Sequence, residues 1–148
     1  MVKDEKPSMP SRPITLFHQI PILKTQKFWE GLKKGHIYFT KCKKCGKTYY
    51  PPQDDCSNCL TSSMEWVKLT EELTLETFTQ VIAKPKGFTE FEPYIIAIAS
   101  TVEGIKIMGW LEGVNVSEVK VGMKLKANTK LIDDKYFTVV FTPSLSQN

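Results

Sequence analysis

The four cysteines of the chain form the arrangement of residues with the clearest chemical potential. They occur as two Cys-x-x-Cys pairs, Cys42 with Cys45 and, ten residues further on, Cys56 with Cys59. Two tight turns with this spacing can direct four thiolates at one tetrahedral ion, at about 2.3 Å from each sulfur. The pattern therefore predicts a closed structural zinc site.

Three other uses of these cysteines compete with zinc. Disulfides are typical of small secreted domains, and the chain starts without an apolar signal stretch, so we expect a reducing, cytoplasmic location. A redox dithiol needs only one Cys-x-x-Cys pair and leaves the second unexplained. Iron in a rubredoxin-like centre remains the alternative metal, because four thiolates in a tetrahedron suit either ion.

Composition and charge limit the class of protein. Of 148 residues, 41% are hydrophobic and 24% charged, which is ordinary for a globular protein. No apolar run approaches the roughly 20 residues of a membrane span, so we expect no membrane partner. Neither of the two histidines, His18 and His36, lies in a ligand or catalytic pattern.

The net charge of +4 is concentrated in one segment. Between residues 24 and 47 eight lysines accompany a single acid, Glu30. Such a patch can attract nucleic acid, an acidic partner or a phosphorylated cofactor. Arg12 is the only arginine among twenty basic residues. This disfavours base-specific recognition of nucleic acid, because arginine is the usual reader of guanine edges.

A short amphipathic helix is predicted before the first cysteine pair. Thr25 can cap its start, Gly35 can end it, and Leu32 shares one face with two aromatic residues while lysines occupy the other. We expect the aromatic residues to pack against the cysteine module, or to form a partner surface with the lysines. The candidate partner-binding residues are Phe28, Trp29, Lys33 and Lys34.

The cysteines themselves are predicted to lie in a small zinc ribbon at residues 36–62. Segments 37–40 and 47–50 make a hairpin across the first cysteine pair, and Pro51-Pro52 forces an extended run towards the second. A module of this size cannot bury a core, so we expect it to unfold without its metal.

Beyond the ribbon the pattern is that of a β domain. Residues 65–69 are a short strand or linker, and residues 115–121 a short helix or turn. Five strands are predicted at residues 73–82, 94–101, 105–111, 124–131 and 136–141, with a turn at Asp133-Asp134. This spacing favours a five-stranded Greek-key barrel of the OB type. The predicted fold is mainly β, with a tail, arm and helix at 1–35, the ribbon at 36–62 and the OB-fold domain at 63–148.

Several motifs in this order resemble one family. They are Phe28-Trp29-Glu30-Gly31-Leu32, Cys42-x-x-Cys45-Gly46, Pro51-Pro52 before Cys56-x-x-Cys59, Pro93-Tyr94, Glu103-Gly104, Val121-Gly122-Met123 and Phe141-Thr142-Pro143. The chain is similar over residues 24–143 to the domain of unknown function 35 family, acyl-CoA-associated OB-fold proteins with a rubredoxin-like zinc ribbon. It departs from many relatives at Ser57 and Leu60, which makes the second cysteine turn less relaxed, and at Glu71-Glu72-Leu73, where relatives often carry Gly-x-Gly.

The resemblance implies an accessory role. Family members accompany thiolases, and a relative is understood to bridge acetoacetyl-CoA thiolase and HMG-CoA synthase. We therefore expect a non-catalytic scaffold that docks on a thiolase-superfamily enzyme, with HMG-CoA synthase as a further partner, and that binds CoA or acyl-CoA. The sequence agrees, since it lacks a Ser-His-Asp or Cys-His set and a glycine-rich phosphate loop. The alternative is a nucleic-acid-binding module, because zinc ribbons and OB barrels recur in that role.

A CoA-binding site needs cations for phosphates and apolar groups along the pantetheine arm. The loop between the first two barrel strands offers both, in the candidate ligand-binding residues Lys84, Lys86, Phe88 and Phe91. The loop is also longer than a typical connection, which favours a function. The alternative is that a phenylalanine packs into the barrel and the lysines are solvated.

Overall fold

Within the described residues, one α-helix, a three-stranded sheet and a five-stranded barrel follow one another along the chain, with short 3₁₀ helices at Leu23–Thr25 and Val116–Glu118. The computed structural model describes residues 9, 19–70, 72–83, 92–132 and 136–144. The elements are α1 (Gln26–Lys33), β1 (Tyr38–Cys42), β2 (Thr48–Tyr49), β3 (Met64–Lys68), β4 (Leu73–Val81), β5 (Tyr94–Ser100), β6 (Lys106–Leu111), β7 (Lys124–Ile132) and β8 (Tyr136–Pro143). The predicted fold class is confirmed.

Helix α1 buries one face and uses its N-terminal threonine in an unexpected way. Phe28 and Leu32 are buried, and Gly35 ends the helix in the left-handed conformation, as predicted. Thr25 occupies the N-cap position, but its side chain makes no capping hydrogen bond. The predicted cap is wrong because the Thr25 hydroxyl instead accepts a hydrogen bond from the Trp29 indole Nε1–H, at 3.2 Å.

The ribbon sheet has the strand order β2-β1-β3. The predicted hairpin is confirmed, with Thr40 opposite Tyr49. Strand β3 pairs along the whole of β1, with Cys42 opposite Met64. The segment predicted as strand or linker is therefore a strand, and it hydrogen-bonds to the ribbon although it lies past residue 62.

The barrel closes in the order β4-β5-β6-β8-β7, with β7 returning to β4. Strands β6 and β8 are parallel and pair at only two positions, Trp110 with Val140 and Leu111 with Phe141. Gly109 permits this approach, because a Cβ there would lie 2.7 Å from the Val139 carbonyl oxygen. The predicted turn at Asp133-Asp134 lies outside the described residues.

A shared core joins the helix, the ribbon and the barrel. Phe28 and Leu32 of α1 and Phe39 of β1 belong to the same buried cluster as Leu73 and Phe141 of the barrel. The ribbon adds a small cluster of its own, which consists of Cys42, Tyr49 and Cys56. In the part of the chain that the structure describes, no helix has the length and apolarity needed to cross a membrane.

Candidate functional site

The structure brings all four predicted cysteine ligands to one point. Their sulfur atoms lie within 4.8 Å of one another. Three separations are shorter: 3.4 Å between Cys42 and Cys59, 3.4 Å between Cys56 and Cys59, and 3.6 Å between Cys45 and Cys56. All four are free thiols. Sulfurs about 2.3 Å from a tetrahedral ion are about 3.8 Å apart, so this cluster fits one such ion.

Two turns of the same kind present the cysteines. In the first, the Gly46 amide donates to the Cys42 carbonyl oxygen, and in the second the Leu60 amide donates to that of Cys56, both at 2.9 Å. The residue after each pair needs a positive φ, which is +75° at Gly46 and +51° at Leu60. Leucine pays a steric penalty in this region, because its Cβ crowds the backbone. The less relaxed second turn predicted from the sequence is therefore located at Leu60.

Tyr49 packs against the cysteine cluster, although no sequence motif marks it as part of the site. Its hydroxyl oxygen accepts a hydrogen bond from the Ser57 amide at 3.1 Å and lies 3.1 Å from the Cys56 sulfur. Because the amide is the donor in the first contact, the hydroxyl proton is available for the sulfur. The signal was the register of the hairpin, which places a buried tyrosine behind the cysteine turns.

Hydrogen bonds and burial shift the pKa values of three of the thiols in different directions. The Tyr49 hydroxyl, with the backbone amides of Cys59 and Asn58, lowers the pKa of Cys56 to about 5. The backbone amide of Lys47 lowers the pKa of Cys45. Burial, with hydrogen bonds from neighbouring thiols, raises the pKa of Cys59 to about 12. A bound cation would favour thiolate at every position, because a coordinated thiol is deprotonated. The site is thus suited to a metal ion.

A second feature, the α1 groove, lies between α1, Tyr50-Pro51 and strands β6 and β8. This cavity of about 560 Å³ is lined mainly by apolar side chains, which include Trp29, Tyr50, Met108 and Phe137. Trp29 is 43% exposed and Met108 65% exposed. Phe28 lies beneath Trp29, with its ring edge-on to Trp29 and Tyr50 at centroid distances of 5.2 and 6.0 Å. The groove arises where β6 and β8 diverge before their short parallel pairing.

The other predicted site residues are distributed unevenly around α1. Of the four candidate partner-binding residues, Trp29, Lys33 and Lys34 are exposed, whereas Phe28 is 7% exposed and packs into the core. Phe28 therefore contributes a mostly buried part of the groove's lining, whereas Trp29 is exposed at its edge. The candidate ligand-binding residues Lys84, Lys86, Phe88 and Phe91 lie outside the described residues.

An aromatic pair at one end of the barrel was also not predicted. Tyr94 and Trp110 stack with ring centroids 4.9 Å apart, in a cavity of about 480 Å³. Glu92, Glu112 and Lys130 also line this cavity, and Lys130 forms an ion pair with Glu112 at 2.7 Å. Cross-strand pairing of β5 with β6 creates the stack, so it depends on register rather than on a local motif.

Two family models match consecutive parts of the chain. Residues 29–65 match the model described as the rubredoxin-like zinc ribbon domain of ChsH2, and residues 66–130 match that of the ChsH2 C-terminal OB-fold domain. Their junction falls within β3, the strand that closes the ribbon sheet.

Curated relatives include two proteins described as DUF35 domain-containing scaffold proteins. The one from Methanocaldococcus jannaschii is 31% identical over 101 residues, 67% of this chain and 72% of the relative. The one from Pyrococcus furiosus is 25% identical over 111 residues, 74% and 81% of the two chains. A probable enoyl-CoA hydratase alpha subunit from Thermomonospora curvata is 24% identical over 138 residues, 92% of this chain but 43% of that protein.

Two solved structures share the fold. A chain of the Ltp2-ChsH2(DUF35) aldolase aligns with a TM-score of 0.72 at 20% identity and covers 89% of this chain and 98% of its own. A protein of unknown function from the DUF35 family of Sulfolobus solfataricus aligns with a TM-score of 0.58 at 23% identity, over 82% and 86% of the two chains. The match to the Methanocaldococcus relative, together with the matches to both domain models, shows that the chain belongs to the DUF35 family.

Proposed function

We propose that this protein is a non-catalytic scaffold subunit that docks on a thiolase-superfamily enzyme, with HMG-CoA synthase as a further partner, and that it binds CoA or acyl-CoA in that complex. The α1 groove is the observation that carries the proposal. It presents Trp29 and Met108 on a shared core that ties helix, ribbon and barrel together. Exposed aromatic and methionine side chains on a firm support are typical of protein interfaces.

Names of relatives support this role. Two relatives are described as scaffold proteins, another as a subunit of a probable enoyl-CoA hydratase, and one structural neighbour is a chain of an aldolase complex. Each description belongs to the protein concerned. Together they motivate a partner enzyme that acts on CoA thioesters, for which thiolase is the proposed representative.

The metal has a structural task in this proposal. We assign zinc to Cys42, Cys45, Cys56 and Cys59, because tetrahedral four-thiolate sites of this spacing are its usual closed sites. A bound ion would fix the ribbon against α1 and so fix the wall of the groove. Elemental analysis of the purified protein tests the assignment. A coloured sample that contains iron would show that the bound metal is iron rather than zinc.

Charge at the barrel end disfavours the nucleic-acid alternative. The stacked Tyr94 and Trp110 could receive a base, but Glu92 and Glu112 line the same cavity. Among the described residues that line this cavity the lysine is Lys130, and it is already paired with Glu112. These carboxylates would repel a phosphate backbone, which supplies most of the affinity in nucleic-acid binding.

Copurification from the native host tests the docking proposal. Tagged protein expressed at its native level should recover a thiolase-superfamily enzyme, identified by mass spectrometry. A Trp29→Ala/Met108→Ala variant should recover at least about tenfold less, as expected for loss of central interface residues. Val121→Ala, which truncates an exposed apolar residue outside the groove, is the matched control. Recovery of no such enzyme by the wild-type protein would refute the proposal.

Direct titration tests the CoA part separately. Isothermal titration of the zinc-loaded protein with acetyl-CoA should give saturable binding. If the loop between β4 and β5 contacts the ligand, Lys84→Ala/Lys86→Ala should weaken it, whereas Lys120→Ala/Lys124→Ala removes the same charge elsewhere. Equal affinities of the two double variants for acetyl-CoA would exclude the loop as a contact of the ligand.

A further inference from the structure

The side of α1 opposite the groove forms a cleft with the ribbon, which we call the basic cleft. It is a cavity of about 560 Å³ whose lining includes Lys27, Lys34, His36, Tyr38 and Trp66. Lys27 and Lys34 are seven residues apart, so they lie on one face of the helix about 10 Å from each other. The helix therefore supplies the cations, and strands β1 and β3 supply the rings.

The aromatic wall of the cleft is held in a fixed position. Tyr38 and Trp66 lie side by side on β1 and β3, nearly perpendicular, with ring centroids 6.4 Å apart. The Tyr38 ring rests directly on Gly31, where an added Cβ would lie 2.6 Å from it. Gly31 is therefore needed for the ring to lie against the helix. Both rings are half-buried, so each keeps a solvent-facing part.

Two of the three lysines that line the cleft, Lys27 and Lys34, are free of ion pairs in the part of the chain that the structure describes. Lys24, at one end, pairs with Asp54 at 3.0 Å, and Lys106 and Lys130 pair with glutamates on the barrel. Within the described ranges, Lys27 and Lys34 have no carboxylate at salt-bridge distance. The Lys27 ammonium instead lies 5.3 Å from the ring centre of Tyr38 and 6.0 Å from that of Trp66.

The acid in the cleft is also occupied. Glu30 accepts a hydrogen bond from the Gln26 side-chain amide at 2.7 Å, along its own helix. With Lys24 paired to Asp54 and Asp55, the cleft presents two lysines without an ion pair, Lys27 and Lys34, beside the single carboxylate of its lining, in contrast to the acidic barrel end. A pocket that combines aromatic faces with cations suits a ligand in which a flat ring that can stack is joined to negatively charged phosphates.

We propose that the basic cleft binds the phosphorylated adenosine end of CoA, a purine nucleotide with phosphates on both sides of its ribose. This inference rests on the proposed function and assigns the nucleotide part of the ligand to α1 and the ribbon. The base stacks on Trp66 where the Lys27 ammonium now lies, and that ammonium turns to a phosphate. Lys34, two helical turns away, binds the second phosphate, and Tyr38 closes the floor.

Titration of the full-length, zinc-loaded protein with adenosine 3′,5′-bisphosphate tests this site. We expect saturable binding at low salt, with an affinity at least about tenfold higher than that for adenosine. Hydrogen bonds between lysine and phosphate are charge-assisted and therefore stronger than those between neutral groups. Lys27→Ala/Lys34→Ala should lower the affinity at least about tenfold. Lys43→Ala/Lys44→Ala removes the same charge from the ribbon outside the cleft and should leave the affinity within about twofold. Equal losses in the two pairs would overturn the proposal in favour of a non-specific positive field.

Tryptophan fluorescence supplies a second, independent readout. Stacking on Trp66 should quench part of the emission, and Trp66→Phe should remove that quenching while Trp29 and Trp110 still emit. Absence of binding to the bisphosphate, or tight binding of a single-stranded oligonucleotide with none of the bisphosphate, would overturn the cleft assignment. Recovery of the partner enzyme by a protein that does not bind the bisphosphate would refute the cleft alone. Bisphosphate binding without enzyme recovery would refute the docking alone.

Discussion

The hydroxyl of Tyr49 lies 3.1 Å from the sulfur of Cys56 and connects the ribbon hairpin to the cysteine cluster. The Ser57 amide donates to the same oxygen and so fixes its orientation. A hydrogen bond to a metal ligand orients that ligand and stabilises its ionised form. Tyr49 thus helps to set how firmly the second cysteine pair holds its ion.

Replacement of Tyr49 by phenylalanine should weaken metal binding. The ring still fills its buried position, but the Cys56 thiolate loses its donor, so affinity for zinc should fall about 10- to 100-fold. Competition with a fluorescent chelator at pH 7 measures this change. Tyr50→Phe is the control, because the neighbouring tyrosine packs against Phe28 rather than against the cluster. Equal affinity in the wild-type and Tyr49→Phe proteins would contradict the prediction.

Leu60→Gly should stabilise the metal-loaded protein. Leu60 has a φ of +51° and is 89% exposed, so its side chain adds strain and little burial. Glycine removes the left-handed penalty and should raise the free energy of unfolding by about 1 kcal/mol. Urea unfolding of the zinc-loaded protein measures the change. Leu60→Ala keeps a Cβ and should gain nothing, so equal stability of the two variants would argue against strain at this turn.

Features of the cluster were predictable where they depend on short-range spacing. Each Cys-x-x-Cys pair specifies its own turn, and the departure at Leu60 from the pattern of many relatives indicated an unfavourable residue after the second pair. The sulfur contact of Tyr49 was not, because it depends on how a hairpin register places one buried side chain. The cap at Thr25 failed for a similar reason, since the competing donor is the indole of Trp29.

Contacts between residues that are far apart in the sequence were harder to predict. Strand β3 joins the ribbon by pairing with β1, which places Met64 opposite Cys42. The second cysteine pair lies between these two residues in the sequence. The alternating pattern at residues 124–131 predicts a strand but does not predict which strands pair with it. The basic cleft needs that pairing too, because its wall combines Tyr38 of β1 with Trp66 of β3. Local periodicity therefore predicted the elements, and strand pairing decided the surfaces.

Gly109→Ala should disrupt the barrel where β6 meets β8. The added methyl group would lie 2.7 Å from the Val139 carbonyl oxygen and 3.0 Å from the Phe141 ring. Because backbone cannot move aside as a flexible side chain can, we expect a loss of about 1 to 3 kcal/mol in the free energy of unfolding. Chemical denaturation measures it. Met108→Ala, at the exposed neighbouring position, should cost less, and the reverse order would contradict the close approach.

Stability above pH 10 should depend on Tyr50. Burial between α1 and the barrel raises the pKa of Tyr50 from 10.0 to about 12, because ionisation would place a charge in a poorly solvated site. Below pH 10 the phenol is protonated in both the folded and the unfolded state. Between pH 10 and 12 the unfolded state ionises first and binds fewer protons, so the free energy of unfolding falls as pH rises. The loss should approach about 2 to 3 kcal/mol at pH 12.

Comparison with Tyr50→Phe isolates this contribution. Phenylalanine cannot ionise, so the stability of the variant relative to the wild-type protein should be nearly constant around pH 9 and should rise from about pH 10 to about pH 11.5. Urea unfolding of zinc-loaded protein at intervals of half a pH unit measures the difference, and the shared titration of lysines cancels. Tyr136→Phe removes an exposed tyrosine of β8 and should follow the wild-type curve. A pH-independent difference between Tyr50→Phe and wild type would mean that the Tyr50 phenol reaches solvent, and that α1 covers the barrel less tightly than the shared core requires.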